Sequence, residues 1–145
     1  MKKVLTFGVF DLFHFGHLKL LKSMSKLGDY CIVAVQTDEY VVKFKPIGTT
    51  GTFYSTEERI EMIRALRCID EVIEYNIVDE NIKKIDFDIW VKGPDQIHSG
   101  FQAAVKWCED KGKEIITLPR TEGISTTHIK RLIKGLTKNE EEHIK

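Results

Sequence analysis

The chain has 145 residues with 22 basic and 22 acidic side chains, so its formal net charge is zero. That balance excludes a global field that recruits nucleic acid, and any anion site must be built locally. The apolar fraction of 42% and charged fraction of 30% are those of an ordinary soluble domain. No apolar run approaches the ~20 residues of a membrane span, and no leader-type segment opens the chain. Three widely spaced cysteines, Cys31, Cys68 and Cys108, form no Cys-x-x-Cys pair. They read as reduced core thiols and place the protein in the cytoplasm.

Residues 3–7 (Lys-Val-Leu-Thr-Phe) predict a short buried strand. After it, Leu18, Leu21, Met24 and Leu27 recur at helical spacing until Gly28. The stretch between, residues 8–17, is therefore a strand-to-helix turn carrying His14 and His17. A helix N-terminus behind such a turn suits a phosphate. On this stretch alone, phosphate chemistry stands level with the other readings taken together, a metal site or an incidental pair. There is no Gly-x-x-x-x-Gly-Lys and no Gly-x-Gly-x-x-Gly.

A continuously apolar second strand is predicted over residues 30–35, as expected where both faces are covered. A long connection follows, residues 39–55, with Lys43, Lys45 and a Gly/Thr cluster; it reads either as solvated surface or as a lid that brings two ammonium groups to a polyphosphate. Ser55 caps a predicted helix to residue 66 with acids in its first turn. Residues 71–75 form a third strand, 79–84 a short helical or irregular segment, and 88–91 a fourth strand. Lys92-Gly93-Pro94-Asp95 is a tight turn at its carboxyl end. Ser99 can cap a helix to residue 111, His98 is read as a cap or pocket-rim residue, and residues 115–118 are the fifth strand. The polar run 119–127 then leads into a last helix, 127–133, with Ser125 or Thr126 at its N-cap. One domain is expected over residues 1–136, with a charged tail at 137–145.

Alternating strands and helices predict a doubly wound, Rossmann-like α/β fold, a parallel five-stranded sheet of order 3-2-1-4-5. At its carboxyl edge would gather Thr6, Gly8, His14, His17, Lys43, Lys45, Arg120, Ser125 and Thr126, mostly donors and cations. A donor-rich crevice without a nucleophile suits phosphoryl or nucleotidyl transfer. The attacking group can be the substrate's own phosphate, with Mg²⁺ on the triphosphate.

Two motifs carry a family resemblance. His14-Phe15-Gly16-His17 resembles the His-x-Gly-His signature of the nucleotidyltransferase superfamily. Residues 120–127, Arg-Thr-Glu-Gly-Ile-Ser-Thr-Thr, resemble the signature of its cytidylyltransferase branch. The likeness runs from Lys2 to Leu136 and is greatest to the bacterial glycerol-3-phosphate cytidylyltransferases, through Gly28-Asp29-Tyr30, Thr37-Asp38-Glu39 and Asp70-Glu71-Val72-Ile73. It implies transfer of CMP from CTP to a small phosphorylated alcohol, a homodimer with residues 67–72 near its interface, and a role in capsule or teichoic acid precursor synthesis. It implies that His14 and His17 bind triphosphate and stabilise the transition state, that Arg120 contacts phosphate, and that Ser125 and Thr126 hold the β- and γ-phosphates. By the same resemblance Thr6, Gly8, Phe10, Asp11, Gly16, Lys92, Gly93, Asp95, Thr121, Gly123 and Ile124 belong to the nucleotide site. Lys43 and Lys45 match the loop lysines, and Asp38, Arg59 and Arg67 are expected at the substrate side, one of the two arginines reaching substrate phosphate or a dimer neighbour.

The Lys92 turn departs from the Gly-Asp-Asp turn of the glycerol-phosphate enzymes and is similar to that of adenylyltransferases that make ADP-heptose. The segment between Ile73 and Asp88 is shorter than theirs, and their tryptophan has no counterpart in it, because Trp90 lies inside a strand. Three alternatives therefore stand. One is CTP with phosphoethanolamine, phosphocholine or another polyol phosphate. Another is an ATP-dependent enzyme acting on a sugar phosphate or flavin mononucleotide. The third is a nucleotide-binding module without turnover.

Overall fold

The computed structural model describes residues 1–44, 51–119 and 129–135. Its strands are β1 (Lys3–Gly8), β2 (Tyr30–Gln36), β3 (Glu71–Tyr75), β4 (Ile89–Lys92) and β5 (Glu114–Thr117). All pair in parallel in the order β3-β2-β1-β4-β5. The helices are α1 (Phe15–Ser25), α2 (Asp38–Phe44), α3 (Thr56–Arg64), α4 (Val78–Asn81), which continues as a 3₁₀ turn over Ile82–Lys84, and α5 (Ser99–Asp110). A further helical stretch, α6, occupies 129–135.

Successive strand residues point to opposite faces, and both faces are covered. Val4, Val33 and Val91 pack with Leu21 and Met24 of α1 and Ile63 of α3. Leu5, Ile32, Ala34 and Trp90 pack with Val78 of α4 and with Phe101, Ala104 and Cys108 of α5. Two-sided burial explains the unbroken apolar run of β2. Among the described residues no helix is long and apolar enough to cross a membrane.

One element differs from the sequence reading, and of two cap candidates at α5 one is used. Asp38–Phe44 is a helix, not the start of an irregular connection. The amides of Tyr40 and Val41 both donate to Thr37 O, and Val41 is buried, so one helical turn forms directly off the strand end. At α5 the cap is His98 rather than Ser99: His98 Nδ1 accepts from Gly100 N at 3.1 Å. A ring nitrogen there meets the same orphan amide that a hydroxyl would.

The sheet divides at its switch point. β1 pairs with β2 as far as Gly8↔Val35, and β4 with β5 as far as Lys92↔Thr117. Between β1 and β4, however, only Val4↔Ile89 and Leu5↔Trp90 are in register. Beyond them two side chains replace the ladder. Thr6 Oγ1 donates to Val91 O at 2.7 Å, and Gln96 Nε2 donates to Phe7 O at 2.8 Å. A crevice at the carboxyl ends of the two central strands follows, where open α/β sheets bind ligands.

Candidate active site

The turn from β1 into α1 is tightly constrained. A Cβ at Gly8 would lie 2.6 Å from Phe10 Cε2, so no other residue fits without moving the ring. Phe10 and Leu12 both hold left-handed backbone, with φ of 57° and 48°. Such conformations cost of order 1–3 kcal/mol each and persist only when their surroundings enforce them. Phe10, 5% exposed, is held in the core beneath α1.

His14 and His17 then cap α1 reciprocally. Gly16 N donates to His14 Nδ1 at 3.0 Å, and His14 N donates to His17 Nδ1 at 3.2 Å. The rings stack with centroids 3.8 Å apart, and His17 also stacks on Phe13 at 5.4 Å. Because each Nδ1 accepts, each neutral ring carries its proton on Nε2. Two imidazole N–H donors are thus fixed side by side at a helix N-terminus, an arrangement suited to anionic oxygen. Burial, and secondarily the neighbouring His14, lower the His17 pKa to about 4 against a smaller opposing pull from Asp11. His17 is therefore a neutral donor at pH 7.

Behind the turn stands a brace of buried charge. Arg59, fully buried on α3, donates to Tyr54 O at 3.1 Å, to Val9 O and Gln36 O at 2.8 Å each, and to Asp38 Oδ1 at 2.5 Å, with Thr56 Oγ1 at 3.4 Å. It is expected near substrate, yet its guanidinium is fully engaged by the protein and is a structural anchor instead. Asp38, its side chain about half exposed, accepts from Arg59, Thr52 Oγ1 and Thr56 N. Burial pulls the Asp38 carboxyl upward, but these hydrogen bonds outweigh it and hold its pKa below the usual carboxylate value. Asp11, 4% exposed, accepts from Phe53 N at 2.8 Å and Tyr54 N at 3.0 Å. It fastens the segment before α3 to the turn. Thr6, 1% exposed, likewise uses its hydroxyl on Val91 O.

The β4 turn reaches the same edge. Lys92 is half-buried with Nζ 3.5 Å from Gly93 O, and a Cβ at Gly93 would stand 3.1 Å from Asp95 Oδ1. Gln96 binds both Gly93 N and Phe7 O and so ties this turn to β1. Lys43 is exposed at the end of α2, its Nζ 5.1 Å from the Tyr40 ring centroid. Arg67 lies in the turn between α3 and β3, at the amino edge of the sheet, so within one chain the structure does not bring it to the crevice. Lys45, Arg120, Thr121, Gly123, Ile124, Ser125 and Thr126 lie outside the described residues.

Sequence reasoning missed Gln96 and Lys130. Lys130 Nζ, on α6, lies 4.0 Å from Asp11 Oδ2 and 5.0 Å from the Phe53 ring centroid. A lone lysine or glutamine beside a turn carries no spacing signal; only the fold gives either a partner. Among the described residues no cluster of three or more His, Cys, Asp or Glu is placed to hold a metal ion.

The crevice between β1 and β4, with its paired histidine donors, belongs to a known lineage. The family model described as cytidylyltransferase-like matches residues 5–132. The chain is 40% identical over 144 residues to glycerol-3-phosphate cytidylyltransferase of Bacillus subtilis strain 168, covering 94% of this chain and 100% of that protein. It is 38% identical over 138 residues to the protein of that name from Staphylococcus aureus, covering 93% and 97%. Among solved structures, a lipopolysaccharide core biosynthesis protein from Thermoplasma volcanium superposes with a TM-score of 0.67 at 25% identity, over 83% of this chain and 97% of that one. The chain is a member of the cytidylyltransferase-like family.

Proposed function

We propose that the protein transfers CMP from CTP to sn-glycerol 3-phosphate, giving CDP-glycerol and pyrophosphate. The observation that carries this reading is the end-to-end likeness to glycerol-3-phosphate cytidylyltransferases, with 40% identity over 94% of the chain. Chemically, a phosphate oxygen of the acceptor attacks the α-phosphorus of CTP in line. The new P–O bond forms as the bond to the β-phosphate bridging oxygen breaks, and pyrophosphate leaves. The attacker is already an anion, so no general base is needed. Catalysis then consists of alignment and of donors where charge develops.

The Nε2–H groups of His14 and His17 supply two such donors, prepositioned by the reciprocal cap. Mg²⁺ enters as part of the substrate, on the triphosphate. To Arg120, Ser125 and Thr126 we assign phosphate contacts, and to Lys43 and Lys45 charge on the reacting phosphates, on family likeness. Gly16, Lys92, Gly93, Asp95, Thr121, Gly123 and Ile124 complete the nucleotide site on the same basis. A cytoplasmic homodimer feeding capsule or wall-polymer synthesis is part of the same proposal.

The test is pyrophosphate release across CTP, ATP, UTP and GTP against glycerol 3-phosphate, phosphoethanolamine, phosphocholine, ribitol phosphate and heptose 1-phosphate. Turnover with CTP and glycerol 3-phosphate is expected. Turnover confined to ATP, or confined to CTP with a different acceptor, overturns the assignment.

A further inference from the structure

A cavity of about 470 Å³ opens at the carboxyl ends of β2 and β3, with Gln36, Tyr75, Val78, Asp79, His98 and Phe101 in its lining. Its chemistry is mixed. Tyr75 is 4% exposed and turns its side chain to this lining, with no hydrogen bond of its hydroxyl to a described residue. Burial pushes its pKa well up, so it stays a neutral hydroxyl that both donates and accepts. His98 Nδ1 accepts from Gly100 N, which leaves Nε2–H as a donor in the neutral ring. Gln36 Nε2 donates to Asn76 O, which leaves its amide oxygen as an acceptor beside the Asp79 carboxylate. One ring behind the wall, Trp90 stacks on Phe101 at 6.2 Å, and its Nε1 is a buried side-chain nitrogen without a partner. Donors and acceptors of several kinds thus face one cavity.

The cavity's lining is tied to the end of β1 and the start of its turn. Gln36 O and Val9 O are each 2.8 Å from the same Arg59 Nη1, and Tyr75 packs edge-on against Phe7 at 4.9 Å. A phosphate does not suit it, because Asp79 would oppose the charge and no Lys or Arg lines it. A quaternary ammonium would leave the Tyr75 and His98 donors unpaired, at a desolvation cost. A neutral polyol fits. Its hydroxyls meet donors and acceptors alike, and its C–H faces meet Val78 and Phe101.

We propose that this cavity receives the hydroxyl-bearing end of the phosphorylated acceptor, with Tyr75 and His98 as specificity-determining residues. The proposal rests on the acceptor being a polyol phosphate. Tyr75→Phe removes one oxygen and keeps the ring; His98→Asn keeps an acceptor for the Gly100 amide and withdraws the imidazole donor. In steady-state pyrophosphate release, each variant is expected to raise KM for glycerol 3-phosphate about three- to tenfold, with KM for CTP unchanged. A crystal structure with CDP-glycerol is expected to place the glycerol unit in this cavity. Unchanged acceptor KM in both variants, or a glycerol unit bound elsewhere, overturns the cavity assignment while wild-type turnover stands. Wild-type protein that neither turns over CTP with glycerol 3-phosphate nor binds CDP-glycerol overturns the reaction and, with it, this proposal.

Discussion

At the scale of single residues, the two histidines divide their nitrogens between structure and chemistry. Nδ1 of each closes a helix cap, which in the neutral ring puts the proton on Nε2. The donors are therefore oriented before substrate arrives, which removes reorganisation from the reacting step. Protonation of His17 follows from where it sits. Burial, then the adjacent His14, depress its pKa to about 4 from an ordinary 6.5. Between those values the unfolded chain binds a proton that the folded one refuses. Folding stability falls as pH drops through that window and loses nothing more from this group below it. Proton NMR of the free protein is expected to give a His17 titration midpoint near 4; a midpoint near 6.5 would contradict the buried, neutral ring.

At the scale of elements, Arg59 holds the carboxyl edge together. One guanidinium on α3 reaches the β1 turn at Val9, the end of β2 at Gln36, the segment before α3 at Tyr54, and α2 at Asp38. Arg59→Met would leave three carbonyls without that donor. At roughly 1 kcal/mol or more for each unsatisfied group, the loss is about 3 kcal/mol and Tm falls by roughly 10 °C. A Tm within about 2 °C of wild type would refute the anchor. Nothing local betrays this role. An arginine in a helix next to acids reads as solvated or ligand-facing, and its partners here come from as far as 50 residues away. His14 and His17 are legible for the opposite reason, because a cap and its third helical residue are neighbours in sequence. The cavity is illegible for the same reason as Arg59: Tyr75 and Phe101 come from elements on separate strands and helices, and no spacing links them. Helix α2 is missed because Val41 and Val42 are strand formers, and only the anchored Thr37 and Asp38 turn the chain into a helix.

At the scale of the whole molecule, a parallel sheet buried on both faces concentrates its chemistry at one edge. The strand order was readable because each apolar run is short, flanked by turn signals and followed by a helical period. What converts that order into a site is the early end of β1–β4 pairing after Leu5↔Trp90, held open by Thr6 and Gln96. The central claim is that this edge carries CMP transfer from CTP to glycerol 3-phosphate, through the paired histidines. It is tested most directly by pyrophosphate release from CTP and glycerol 3-phosphate by the wild type and by His17→Ala, each checked for its fold by circular dichroism. The account predicts brisk turnover by the wild type and a kcat reduced by about 100-fold or more in the folded variant. Near wild-type turnover by folded His17→Ala would contradict it.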